Sequence, residues 1–234
     1  MGTSSDHSGG SGGPWAGAKR ASTEFAKHGD RRRAYRALGR LVIALGGAAA
    51  VATRSKAAVV GMQRTGSLLG AAQAEGLDAA LEQAGIGNLV GKPADEVIAA
   101  LVDLIAGNGE DREGQAAREA ACDVLESLGE EAESYEELSA ALENAEDLGK
   151  VLEQFLSSYV YRLLLPVIEE RTERLEDLDQ RARRDRELRE AVVAVVELEI
   201  SEGAVDPDAW PNATEDQLQD LLEATLRYLE EQDY

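Results

Sequence analysis

The stretch LGKVLEQFLSSYVYRLLLPV, Leu148 to Val167, decides the fold. Its apolar residues fall at Leu148, Val151, Leu152, Phe155, Leu156, Tyr159, Val160, Leu163, Leu164 and Val167. That three-and-four spacing returns to one broad face of a helix, whereas a strand would alternate in and out. So wide a stripe predicts a helix covered by several neighbours. Pro166 removes a backbone donor and predicts a kink or restart.

Working outward, Glu169 to Arg189 is dense in opposite charges four residues apart, the pattern of a solvated helix surface or of a helix–helix turn near Asp177 to Asp179. Leu188, Val192, Val193, Val195, Val196 and Ile200 then return to a core. Thr214 with Gln217 and Ser134 with Glu137 read as capping boxes, the first opening a terminal helix through Leu218, Leu221, Leu222, Leu226 and Leu229. Pro93, followed by Asp95 and Glu96, suits the first position of a helix carrying Val97, Ile98, Leu101, Val102, Leu104 and Ile105. Further upstream, an Ala- and Gly-rich segment predicts three or four helices, broken near Gly29, Gly46-Gly47 and Gly66 to Gly76. Nothing alternates as a strand, and no repeat is evident.

The expected fold is therefore all-α, a bundle-like globular body with a disordered Gly/Ser-rich N-terminal tail. Three regions follow: a flexible tail over 1–17, a basic Ala/Gly-rich helical region over 18–76, and an acidic helical body over 77–234. Aromatic residues are only 4% of the chain, so the core must come from Ala, Leu, Val and Ile, which line few shaped polar pockets. Charge is segregated. Lys19 to Arg64 holds eleven cations against Glu24 and Asp30, a net of +9, while Thr65 onward carries −29 and the whole chain −21. Such a chain repels nucleic acid at long range, yet its basic end can steer a partner.

A single cysteine, Cys122, makes no intramolecular disulfide and is read as a small buried hydrophobe on a helix. With no targeting segment in view, the expected compartment is the cytoplasm. The longest uncharged window, thirteen residues between Arg40 and Arg54, contains two glycines and is shorter than the roughly 20 residues of a spanning helix, so no membrane role is expected.

The residues suited to catalysis are sparse. His7 and His28 are the only histidines, too few for a metal triad or a His-based general base, and no cofactor or metal is expected. The Gly85 to Gly91 run misses the dinucleotide fingerprint spacing and is read as loop punctuation. Two features remain. Lys19, Arg20, Arg31, Arg32, Arg33, Arg36 and Arg40, with Phe25 and Tyr35 among them, form a possible basic interaction patch. It is open to phosphate groups or to acidic helices, and leaves a nucleic-acid-binding or scaffold adaptor as an alternative function. The second is the terminus. A small Gly2 favours loss of Met1, which would expose an unhindered α-amine of pKa about 8. Asp6 departs from the myristoylation pattern.

The opening Met1-Gly2-Thr3-Ser4-Ser5, the Gly/Ser run, Pro14-Trp15-Ala16 and Lys19-Arg20-Ala21 resemble the QatB family, the B component of the Qat anti-phage defence system. The likeness continues through the Arg/Ala segment after Gly29-Asp30, Leu89 to Ala94, Ala99 to Asp103, and Phe155, Tyr159, Tyr161 and Leu163-Leu164. Family members often carry two prolines before the tryptophan, where Pro14 stands alone here. The resemblance implies a non-enzymatic component acting with an ATPase, a QueC-like deazaguanine-synthase relative and a TatD-like nuclease. It implies that the QueC-like partner joins a deazaguanine-type base to the amine of Gly2, with Thr3, Ser4 and Trp15 as tail recognition residues.

Overall fold

A computed structural model describes residues 13–232 except 108, 131, 146 and 204. The described residues form helices and turns, with no strand among them. In chain order the helices are α1 (Pro14–His28), α2 (Arg31–Ala44), α3 (Ala48–Arg54), α4 (Lys56–Glu75), α5 (Leu77–Gln83), α6 (Ala94–Ala106), α7 (Arg112–Leu128), α8 (Tyr135–Glu143), α9 (Leu148–Thr172), α10 (Leu178–Ser201) and α11 (Glu215–Glu231). Short 3-10 turns occupy Gly87–Leu89 and Pro207–Asn212.

The stripe read from the sequence is the middle of the molecule. α9 packs against α7 and α10 on two sides and against α1 and α4 on others, and Leu152, Phe155, Leu156, Tyr159, Val160 and Leu164 are fully buried. Each such side chain contributes roughly 1.5–3 kcal/mol by leaving water. By length and composition α9 could cross a membrane, but 61% of its apolar window is buried inside the protein. One hydrophobic cluster runs from Ala18 to Leu229, so the basic and acidic regions share a core.

Breaks fall where left-handed glycines allow them. At the α1–α2 turn Gly29 has φ 64°, and an added Cβ there would lie 2.0 Å from the Arg184 guanidinium. Glycine is needed for both reasons. Asp30 then caps α2, its carboxylate accepting from the Arg33 amide at 2.8 Å. Gly46 and Gly47 turn α2 into α3. The break expected within Gly66 to Gly76 falls at its far end, Gly76: α4 runs unbroken to Glu75, and an additional break falls at Ser55. Gly66 and Gly70 instead give close approach, to the Trp210 ring and to Pro211. Both capping boxes are present, at Ser134/Glu137 and Thr214/Gln217. Pro93 is the N-cap, one position before the helix that it was expected to begin.

Pro166 lies inside α9 and does not restart it. A proline there removes the amide that would serve the Arg162 carbonyl, four residues earlier. The Arg112 guanidinium, from the start of α7, donates to the neighbouring Leu163 carbonyl oxygen and ties α7 to that turn. The buried hydroxyls of Ser22, Ser55, Thr65 and Thr225 each donate to the carbonyl four residues earlier, so their burial leaves no donor unpaired.

Candidate functional site

The basic region forms a helical hairpin. On α1, Gly17, Arg20, Ala21 and Glu24 recur at helical spacing on one face; on α2, Arg33, Arg36 and Arg40 do the same. Packed together, the two faces enclose a cleft of about 380 Å3 lined by four guanidinium-bearing side chains and one carboxylate, Glu24. Gly17 forms one wall, and a Cβ there would meet the Arg40 side chain at 3.5 Å, an ordinary van der Waals contact. Arg33 also pairs with the Asp30 carboxylate. Glu24 lies 3.8 Å from His28, an ion pair only when the imidazole is protonated.

The seven cations of the expected patch therefore divide. Arg20, Arg33, Arg36 and Arg40 come together in the cleft. Arg31 turns away, its guanidinium 5.5 Å from the Tyr35 ring and donating to the Tyr35 hydroxyl at 3.0 Å. Arg32 is exposed and Lys19 half-buried, and neither lines the cleft. Helix geometry explains the split: three successive arginines point about 100° apart, so a run of three cannot share one face. Glu24, which the sequence reading did not single out, is the acidic wall of the cleft. The signal for it was its i+4 spacing from Arg20.

Trp15 lies in the first turn of α1, half-buried against the core, so the last four residues of the segment expected as tail are helical. Gly2, Thr3 and Ser4 lie outside the described residues. Cys122 is corrected from buried to half-buried: its Sγ lies 3.1 Å from a Glu126 carboxylate oxygen, and burial, with that neighbour, pushes the thiol up to about 11. The Gly85–Gly91 run is a loop with left-handed glycines at Gly85 and Gly91. Among the described residues no group of three or more His, Cys, Asp or Glu side chains has a metal-holding arrangement.

An all-α body whose notable surface feature is an arginine cleft fits a protein acting through partners, and the comparisons give that class a context. A family model described as "Qat anti-phage system associated protein QatB" matches residues 46–229, more than three quarters of the chain. This is a component of an anti-phage defence system. The chain belongs to the QatB family. The matched span begins at the Gly46-Gly47 corner and ends in α11, so α1, α2 and the arginine cleft lie outside it. Curated proteins and solved structures alike yield no significant match.

Proposed function

We propose that this chain is a non-enzymatic, cytoplasmic component of its defence system, working as the substrate and carrier of an N-terminal modification. Its family membership is the observation that carries the reading. The opening Met1 to Ser5 supplies the acceptor, Gly2, with Thr3 and Ser4 beside it for recognition. Gly2 precedes the first helical residue, Pro14, by twelve positions, a chain length that spans at most about 40 Å. An enzyme can therefore engage the amine without disturbing the body. α1 supplies the fixed end, with Ala18, Ser22 and Phe25 buried in the core and Trp15 packed on it.

In this reading a QueC-like partner activates the carboxyl group of a deazaguanine-type base. The unprotonated Gly2 amine attacks that carbon, the amide C–N bond forms, the activating group leaves and the nitrogen gives up a proton. At neutral pH the amine, of pKa about 8, is partly free base, so the attack needs little help with deprotonation. The ATPase and the TatD-like nuclease would act on or with the modified product. The test is the mass of the N-terminal peptide with and without the QueC-like partner. A mass increase confined to the peptide beginning at Gly2, and only on co-expression, is expected. An unmodified Gly2 beside a demonstrably active partner would refute the reading. Gly2→Pro should abolish defence while leaving the melting temperature unchanged.

The four-arginine cleft favours a second reading, an adaptor that binds nucleic-acid phosphates. It predicts binding whose log affinity falls steeply with log salt, the slope shrinking by about one for each phosphate-binding arginine that is neutralised. Neutralising Arg20, Arg36 and Arg40 together would reduce that slope, while changing Arg31 and Arg32 would do less. No binding at low salt would leave the first reading standing alone.

A further inference from the structure

A second cavity, of about 350 Å3, opens where α7, α9 and α10 meet, lined by Asp123, Glu153, Gln154, Ser157, Tyr161 and Arg189 among others. Glu153, Ser157 and Tyr161 stand in one row on α9, four residues apart. Most of the polar groups around it are committed to one another. The Asp123 carboxylate accepts from Ser158 and, at 3.1 Å, from the Arg162 guanidinium. Gln154 donates to the Asp123 carbonyl at 3.0 Å. Tyr161 donates to Asp185, and Arg189 pairs with the same carboxylate at 2.9 Å while lying 4.1 Å over the Tyr161 ring.

Two groups are not committed. Ser157 is 7% exposed, and its hydroxyl has no hydrogen-bond partner; buried polar groups are rarely left so. Glu153 has no hydrogen bond or salt bridge among the described residues, although Lys150 lies close enough to attract it weakly. Burial, then the neighbouring charges of Glu197 and Asp147, push its carboxyl above the ordinary carboxylate range. The cavity thus offers an uncompensated carboxylate and an idle buried hydroxyl on one helix face. Its one cation, Arg189, is already balanced by Asp185.

We propose that this cavity binds a small organic amine, whose primary ammonium or guanidinium head donates to the Glu153 carboxylate and the Ser157 hydroxyl. An anion is disfavoured, because residues from Thr65 onward carry a net −29. The volume is at the lower end for small-molecule sites, which fits a compact di- or polyamine.

The test is calorimetric titration of the full chain with putrescine and with agmatine, using 1,4-butanediol as the uncharged control. Saturable 1:1 binding of at least one amine, and none of the diol, is expected. Glu153→Gln should weaken it tenfold or more and Ser157→Ala several-fold. Glu215→Gln removes the same charge from an exposed site on α11 and should change the affinity less than twofold. Melting curves of each variant, with and without amine, separate lost binding from lost folding: a folded Glu153→Gln should show a smaller amine-induced rise than the unaltered protein at the same amine concentration. Absence of saturable binding would overturn the proposal. So would equal weakening by Glu153→Gln and Glu215→Gln, the mark of diffuse attraction to an acidic surface.

Discussion

At Gly39, α2 comes so close to the last helix that an added Cβ would lie 2.3 Å from the Leu229 carbonyl oxygen. That neighbour is backbone and cannot swing aside. Gly39→Ala should therefore destabilise the protein by about 1–3 kcal/mol despite the better helix propensity of alanine, a shift that a thermal melt resolves. Arg112 makes a comparable point. Its guanidinium is held below its ordinary basicity by burial, yet it donates to the Leu163 carbonyl across the α7–α9 contact, and Arg112→Met should cost about 1–3 kcal/mol by removing that hydrogen bond from a charged donor. The Cys122 thiol, pushed up to about 11, is almost entirely protonated at pH 8. Ellman's reagent should label it far more slowly in the native protein than in denaturant.

Helix ends account for much of what was legible in advance. Ser134, Glu137, Thr214 and Gln217 announced their caps because capping is local chemistry, satisfied within four residues. Thr214→Ala should cost about 1 kcal/mol. The Ser55 break was not legible because no glycine or proline marks it. The continuity of α4 through Gly66 and Gly70 was hidden too, since the reason for those glycines, Trp210 and Pro211, lies far away in the chain. The caps also set a pH response. Asp30, Asp147, Glu137 and Glu143 are held below the ordinary carboxylate range, chiefly by hydrogen bonds to backbone amides and, for Glu143, to Ser139. Their stabilisation is present above about pH 4 and is lost as pH falls through the lower folded values. Glu153 and Glu199 are raised, mainly by burial. Their charge opposes folding at neutrality, and that cost is relieved as pH falls through the raised values. The melting temperature should accordingly rise as pH falls from neutrality toward the ordinary carboxylate range, peak near that range and fall in stronger acid. The double variant Glu153→Gln, Glu199→Gln should flatten the rising limb.

Across the whole molecule, composition and periodicity were enough for the all-α class, because α9 and its neighbours obey helical spacing throughout. The sites were less legible. The arginine cleft was visible as a run of cations, but only the packing of α1 on α2 shows which four converge. The amine cavity draws on Asp123, Glu153 and Arg189 from three helices, and no local motif joins them. The α1–α2 hairpin lies outside the family match yet buries Phe25, Leu38, Leu41 and Val42 in the common core. A chain beginning at Gly46 should consequently expose that surface and aggregate on expression, measurable as loss of the soluble fraction.

The two tryptophans occupy different optical environments. Trp210 is fully buried on Gly66, and Trp15 is half-buried at the base of the N-terminal segment. Intrinsic fluorescence therefore contains a signal from the core and one from the first turn of α1. Trp15→Phe isolates the first and Trp210→Phe the second, so docking of a partner at the N-terminus can be followed in real time without attaching a dye.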